Sequence, residues 1–272
     1  MNKQSNTYII TYSAILVVLV AAVLSFAAIK LRPIQQNNVE IAKKGDILRS
    51  VGLLEIKDGE NKQDAIVAAY EKYIPETFLV NIKGEKVDGD PFKVFINLGK
   101  EYFKGKPTAE SELPVFVSVD NSGVKKYIFP VQGTGLWGPI WGYVALADDF
   151  NTITGVVFDH ASETPGLGAE IAQTPFQSQF IGKTLFEGDE YIGVLILKGV
   201  GASKGDSHAV DAVSGGTITS RAVGDMLLDC LGGYRAYIES QRQADNIQID
   251  TMQVDSLTTD SNNQIIITDN EQ

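Results

Sequence analysis

The chain opens on an unbroken apolar run. No charged residue lies between Gln4 and Ile29, and from Ile9 to Ile29 only Thr11, Ser13 and Ser25 interrupt Ile, Leu, Val, Ala, Phe and Tyr. A helix of that length, rising 1.5 Å per residue, crosses the roughly 30 Å hydrocarbon core of a bilayer. Tyr8 and Tyr12 near one end, and Lys30 and Arg32 at the other, are residue types that settle at membrane interfaces. The competing reading is a cleaved signal peptide with Ser25-Phe26-Ala27 as a small-x-small site, but the run exceeds the ~7–15 apolar residues of such a peptide. The pattern predicts an N-terminal segment at 1–8, a transmembrane helix at 9–29 and a polar linker at 30–44, with no second span after it. Lys3 on one side and Lys30, Arg32, Lys43 and Lys44 on the other leave the orientation open, because a long following domain translocates largely regardless of charge.

Beyond the linker the periodicity changes repeatedly. Asp46 can cap a short helix through Leu54, and Asn61–Ile74 is amphipathic at helical spacing. Strand-like runs follow at Phe78–Ile82, Phe92–Leu98, Val115–Val119 and Tyr127–Val131. Gly142–Ala147 and Thr152–Phe158 flank Asp148-Asp149-Phe150-Asn151 as a hairpin, and Tyr191–Val200 reads as a buried strand. Thr217 to about Gln241 reads as a helix, with Gly232-Gly233 as a place to bend. Helices, then many strands, then a helix predict an α+β fold behind a single transmembrane helix. Its soluble part divides into an N-terminal portion at 45–130 and a second portion at 131–242. Residues 243–272 hold no Lys or Arg and six acids, so they read as a solvated, disordered tail, with Gln264–Thr268 as a strand candidate.

Composition narrows the chemistry. Apolar residues are 44% and charged residues 21% of the 272, which excludes a wholly disordered or multi-span chain. The net charge is −11 and no dense basic run appears, which argues against nucleic acid as a partner. Cys230 is the one cysteine; His160 and His208 are the two histidines. One cysteine makes no internal disulfide and no four-cysteine cluster, and two distant histidines without a third ligand do not read as a metal site. Cys230 lies in the apolar stretch Met226–Leu231 and reads as core, while Arg235, Glu239 and Arg242 read as a solvated face.

Three glycine-rich stretches carry the candidate chemistry. Asp211-Ala212-Val213-Ser214-Gly215-Gly216-Thr217-Ile218-Thr219-Ser220 precedes the last helix. Free N–H groups and the helix dipole there favour a phosphate, and the glycines let backbone approach a ligand; ordinary N-capping accounts for the same residues. Ser162-Glu163-Thr164-Pro165-Gly166-Leu167-Gly168-Ala169-Glu170 holds a tight turn that presents amides beside one apolar side chain, as a flat heteroaromatic ring requires, or else a plain surface turn. Gly133-Thr134-Gly135-Leu136-Trp137-Gly138-Pro139-Ile140-Trp141-Gly142 holds both tryptophans; it reads as an apolar wall for a ring or a loop that caps the core.

In that order, behind an apolar anchor, these stretches resemble the FMN-binding domain family, and within it the C subunits of the sodium-translocating NADH:quinone oxidoreductases. The resemblance implies FMN joined through its phosphate to Thr217, with Ser214, Gly215, Gly216, Ile218 and Thr219 around the phosphate. It also implies that Glu163, Thr164, Leu167, Gly168, Leu136 and Trp137 lie along the isoalloxazine, with Lys198 offsetting charge or snorkelling at a strand end. The family pattern has alanine where this chain has Gly216. Asp211 is expected to serve recognition by a transferase or helix capping. A separate flavin transferase with FAD as donor is implied as a partner, as are the other subunits of the complex. The implied function is electron transfer from NADH toward ubiquinone or menaquinone with sodium export. The implied location is the bacterial inner membrane, with the soluble domain on the periplasmic face. NADH oxidation is assigned to a partner subunit, since no dinucleotide fingerprint is read here. The G subunit of the Rnf complex, and a membrane-tethered binding domain without redox activity, are the alternatives.

Overall fold

A computed structural model of the chain describes residues 6–92, 94 and 111–262. The chain divides into two units, Met1–Lys44 and Gly45–Gln272. The first unit is helical. Helix α1 (Asn6–Ser50) carries the apolar run with its side chains exposed, and one stretch of it is long and apolar enough to cross a membrane. The predicted linker is helical as well. Pro33 removes only one donor, and the residues around it favour helix; Lys44 pairs with Glu40 one turn away at 2.9 Å.

The second unit begins with the last turns of α1. Asp46 therefore does not start a new helix; it lies within α1 and pairs with Arg49. The helix stops at Gly52, whose φ of +73° suits glycine. Leu53 N–H donates to Leu48 O and Gly52 N–H to Arg49 O, which satisfies carbonyls that the helix end leaves open. Helix α2 (Lys62–Tyr73) is capped by Asn61, whose side chain accepts from Gln63 N–H at 2.9 Å.

Six strands form one antiparallel sheet: β1 (Glu76–Val80), β2 (Lys86–Val87), β3 (Leu113–Val119), β4 (Lys125–Thr134), β5 (Pro139–Leu146) and β6 (Ile153–His160), in the order β2-β1-β3-β4-β5-β6. The predicted hairpin between β5 and β6 is present. The Asp149 carboxylate accepts from the Asn151 and Thr152 amides, and Phe150 adopts a φ of +51°. Short pieces follow: α3 (Thr174–Gln177), β7 (Phe186–Glu187), β8 (Glu190–Tyr191), β9 (Leu195–Leu197) and β10 (Ala209–Asp211), the last two parallel. The single strand expected over Tyr191–Val200 is thus two strands. Gly193, at a φ of +73°, turns the chain between them, and the Ile192 and Gly193 amides both donate to Leu185 O.

The chain closes on α4 (Thr217–Asn262), which runs through Gly232 and Gly233 as helix. Val223, Met226, Leu227, Cys230, Leu231, Tyr234, Tyr237 and Ile238 form its buried stripe at intervals of three and four. This stripe lies on the face of the sheet that presents Phe129, Val131 and Val144. The Phe129 and Tyr234 rings meet edge to face at 5.0 Å, and Tyr234 Oη donates to Pro114 O at 2.9 Å. Burying each such side chain stabilises by about 1.5–3 kcal/mol, so this stripe holds α4 in place. The other face of the sheet is met by the end of α1, where Ile47 and Leu48 are fully buried.

Two sequence expectations change at the edges. Helix α4 continues past Gln241 to Asn262, because no proline or glycine follows Gly233 in that stretch to stop it; the backbone of the expected tail is helical to that point. Gln264–Thr268 lies outside the described residues. In the strand expected over Phe92–Leu98, Phe92 and Val94 are helical and the others lie outside the described residues.

Gly155 marks the contact between β6 and the end of α1. A Cβ there would sit 2.1 Å from Ser50 O. Gly155→Ala is expected to destabilise the second unit by about 1–3 kcal/mol, because backbone has to move. Equilibrium denaturation of the detergent-solubilised chain, followed by tryptophan fluorescence, measures this.

Candidate functional site

Three segments converge at the N-terminus of α4. The first is the turn between β4 and β5. Gly135 N–H donates to Gly138 O at 2.7 Å, and the turn leaves Leu136 and Trp137 exposed. Gly133, Gly135 and Gly138 have the spacing of a dinucleotide fingerprint, yet they join two antiparallel strands instead of leading from a strand into a helix. The phosphate-binding geometry of that fingerprint is therefore missing here.

The second segment follows β6. Pro165 and Gly166 occupy the middle of a turn closed by Leu167 N–H to Thr164 O at 3.1 Å, and Gly166 takes a φ of +76°. Proline then glycine is what a type II turn requires. The turn sets Leu167 on the rim and Gly168 in the interior.

The third segment is Ser214–Thr219. Gly215 takes a φ of +76°, and its missing Cβ makes room for Leu167, whose Cδ2 would lie 2.6 Å from it. Gly216 admits the backbone itself: a Cβ there would meet Leu167 O at 2.7 Å. An alanine at this position would thus crowd the neighbouring turn.

A cleft of about 280 Å³ opens between the segments. It is lined by Leu136 and Trp137 from the first, by Glu163, Thr164, Leu167 and Gly168 from the second, and by Gly215, Gly216, Thr217, Ile218 and Thr219 from the third. All the sequence-nominated residues except Ser214 and Lys198 are therefore brought together. Ser214 and Lys198 are exposed and do not line the cleft.

Hydroxyls at the helix mouth are not equivalent. Ser220 Oγ donates to Gly216 O and accepts from Val213 N–H. Thr219 Oγ1 donates to Glu163 Oε2 at 2.6 Å, and Thr219 is buried. Thr217 lines the cleft and its hydroxyl makes no hydrogen bond among the described residues. The backbone N–H groups of Thr217, Ile218 and Thr219 likewise carry no protein acceptor among the described residues, since the first bond of the helix is Ser220 N–H to Gly216 O. Unpaired donors at the positive end of a helix dipole suit an anion. Apolar side chains at the rim, unpaired donors within and glycines where ligand and backbone meet fit the phosphate and ring system of FMN.

Asp211 does not cap α4. Its carboxylate accepts from the Gly201 and Ser203 amides and so organises the loop at 199–206. Those hydrogen bonds, with Ser203 first, hold its carboxyl below the usual carboxylate range. His160 has a part that nothing in the sequence signalled: its Nδ1 accepts from Glu163 N–H at 3.2 Å and helps seat the turn. His208 Nδ1 lies 2.8 Å from Thr184 O, and no group of three His, Cys, Asp or Glu side chains among the described residues can hold a metal ion. Arg242 is not merely solvated. It donates to Gly188 O and stacks over Phe186 at 4.2 Å, clamping the β7–β8 hairpin.

Residues 135–232 match the FMN-binding domain family, and they contain all three segments of the cleft. The fold and the cleft together define an FMN-binding domain behind an apolar helix. Among curated relatives, the C subunit of the Na(+)-translocating NADH-quinone reductase of Vibrio anguillarum is 33% identical, over 74% of this chain and 80% of that protein. Its counterpart in Neisseria meningitidis serogroup A is 30% identical, over 88% of this chain and 95% of that protein. The solved structure of the C subunit from Parabacteroides distasonis superposes with a TM-score of 0.65 at 39% identity, covering 76% of this chain and 96% of that one. The chain belongs to the family of Na(+)-translocating NADH-quinone reductase C subunits. That membership favours the sodium-translocating reductase over the Rnf complex.

Cys230 is buried in the core. Its Sγ lies between the Gln132 amide and carbonyl, and burial pushes the thiol up to about 12 from the ordinary 9.0. The neutral thiol thus contributes stability that is fully present below pH 9.0 and is lost as pH rises toward 12. Native protein is expected to resist thiol reagents at pH 8 and to react fully once unfolded. Wild-type stability should fall more steeply above pH 9.0 than that of Cys230→Ala, as urea titrations at successive pH values measure.

Proposed function

We propose that this chain is the FMN-carrying electron-transfer subunit of a membrane NADH:quinone reductase coupled to Na⁺ export, with FMN joined through its phosphate to Thr217. One observation carries the attachment reading. Of the hydroxyls on the helix-mouth segment, Thr217 is the one that both faces the cleft and lacks a protein partner among the described residues. A phosphoester at Thr217 keeps a negative charge, which the N–H groups of Thr217, Ile218 and Thr219 stabilise at the helix mouth. Gly215 and Gly216 keep the approach clear, and the Thr164 hydroxyl supplies a hydrogen bond. Leu136, Trp137, Leu167 and Ile218 offer the ring apolar contacts along the rim. FMN when bound supplies the redox chemistry, one or two electrons at a time; the chain supplies position and electrostatics.

A threonine hydroxyl is a weak nucleophile, and no activating base contacts Thr217 among the described residues. Attachment therefore falls to a separate transferase that uses FAD as donor. The Thr217 O–P bond forms, the pyrophosphate bond of FAD breaks, AMP leaves, and the hydroxyl proton passes to the transferase. Helix α1 anchors the chain once through the inner membrane, with the soluble unit on the periplasmic face. NADH oxidation, quinone reduction and the ion path belong to partner subunits, since a single span with no charge within it offers an ion no path.

The intact mass of chain purified after coexpression with its transferase is expected to exceed the sequence mass by one FMN less one water. Thr217→Ala is expected to abolish both that increment and the flavin fluorescence band on a denaturing gel. A fluorescent band that survives Thr217→Ala moves the attachment elsewhere. Unmodified wild-type chain from the active complex ends the covalent-attachment reading.

A further inference from the structure

We infer that Glu163 is a positioning residue. Its carboxylate ties the β4–β5 turn to the first turn of α4, and so presents Thr217 to the cleft at the spacing that attachment requires. The inference rests on the proposed attachment of FMN at Thr217.

Glu163 is 5% exposed, and a buried carboxylate is costly unless its oxygens are satisfied. Each oxygen is engaged. Oε1 accepts from Trp137 N–H at 2.8 Å, and Oε2 accepts from Thr219 Oγ1 at 2.6 Å, the short range of charge-assisted bonds. No ion pair reaches Glu163 among the described residues, so these hydrogen bonds compensate its burial. The space around it is made by glycines. A Cβ at Gly135 would lie 2.5 Å from Oε1, and one at Gly168 would lie 2.3 Å from Oε2. Both glycines have ordinary backbone angles, so room for the carboxylate explains them where a turn does not.

The two partners have leverage on the acceptor. Thr219 stands two residues beyond Thr217 in the same helical turn, and Trp137 carries the indole at the rim of the cleft. One carboxylate therefore sets the separation between the apolar wall and the helix mouth. It also commits the Thr219 hydroxyl and leaves that of Thr217 as the free one. Glu163 itself need not touch the flavin, which departs from the role of ring-lining residue expected from the sequence.

The geometry separates the tie from its charge. In Glu163→Gln the amide oxygen can still accept from Trp137 N–H, and the amide NH₂ can donate to Thr219 Oγ1, since a hydroxyl accepts as well as donates. Glu163→Ala loses both ties and leaves two buried donors unpaired. Thr219→Val loses one tie at nearly constant shape.

The test uses the full chain coexpressed with its transferase. Intact mass gives the fraction carrying FMN over a time course, peptide mapping gives the position, and thermal unfolding of flavin-free chain gives stability. Initial attachment rates are expected to fall by about tenfold or more in Glu163→Ala, and by about threefold or more in Thr219→Val, as loss of two or one hydrogen bonds implies. Glu163→Gln is expected to recover most of the wild-type rate. If Glu163→Ala fails to fold, the comparison of Thr219→Val and Glu163→Gln with wild type still decides. Wild-type attachment rates in Thr219→Val or Glu163→Ala would overturn the inference, as would a Glu163→Gln variant as slow as Thr219→Val. Wild-type chain without FMN at Thr217 would instead overturn the attachment reading beneath it.

Discussion

The position of the cleft depends on one packing constraint, the seating of the apolar stripe of α4 on the sheet. Val223, Met226, Cys230, Tyr234 and Tyr237 are locked against β4 and its neighbours, and a close-packed core leaves the helix no freedom to slide. At Gly133 even a methyl group would collide with Met226. The N-terminus of α4 is thereby held beside the β4–β5 turn, and the unpaired amides of its first turn open into the cleft. A helix whose mouth is a binding site has to be anchored by its body, and this one is anchored over several turns.

Within that frame the cleft combines two opposite electrostatic features. The helix mouth favours negative charge, while Glu163 buries a carboxylate nearby. They coexist because they face different partners. Glu163 is saturated by the Trp137 amide and the Thr219 hydroxyl, whereas the amides of Thr217, Ile218 and Thr219 remain open to a ligand. Glycine is used where two such groups crowd together, at Gly135 and Gly168 beside the carboxylate and at Gly216 beside the Leu167 carbonyl. The density of glycine in these stretches reflects close approach more often than turn geometry.

Covalent attachment is consistent with how open this cleft is. Leu136, Trp137, Leu167 and Ile218 are all more than two-fifths exposed, so the rim encloses a ring system only in part. A site that shallow holds a cofactor weakly by burial alone, and the proposed ester bond at Thr217 would remove dissociation from the problem. The same openness keeps a bound ring near the surface, where partner subunits of an electron-transfer chain can reach it. Family membership, the apolar helix α1 and a cleft fit for FMN all agree with that arrangement.

Local patterning by itself determined much of this protein. The apolar run of α1, the amphipathic helix α2, the Asp149 hairpin and the stripe of α4 each depend on residues close in sequence, and each was legible there. So were the three glycine-rich segments, because glycine and proline at fixed spacing specify turns. Other features were decided in three dimensions. The break of Tyr191–Val200 at Gly193 depends on amides that reach back to Leu185, and the role of Asp211 depends on a loop that folds over it. Lys198 and Ser214 looked equivalent to their neighbours in sequence, yet their backbone turns them outward from the cleft. The tie between Glu163 and Thr219 spans residues 56 positions apart and has no local signature. Which hydroxyl stays free at the helix mouth follows from that pairing, and only the packing of α4 on the sheet brings its two partners within reach.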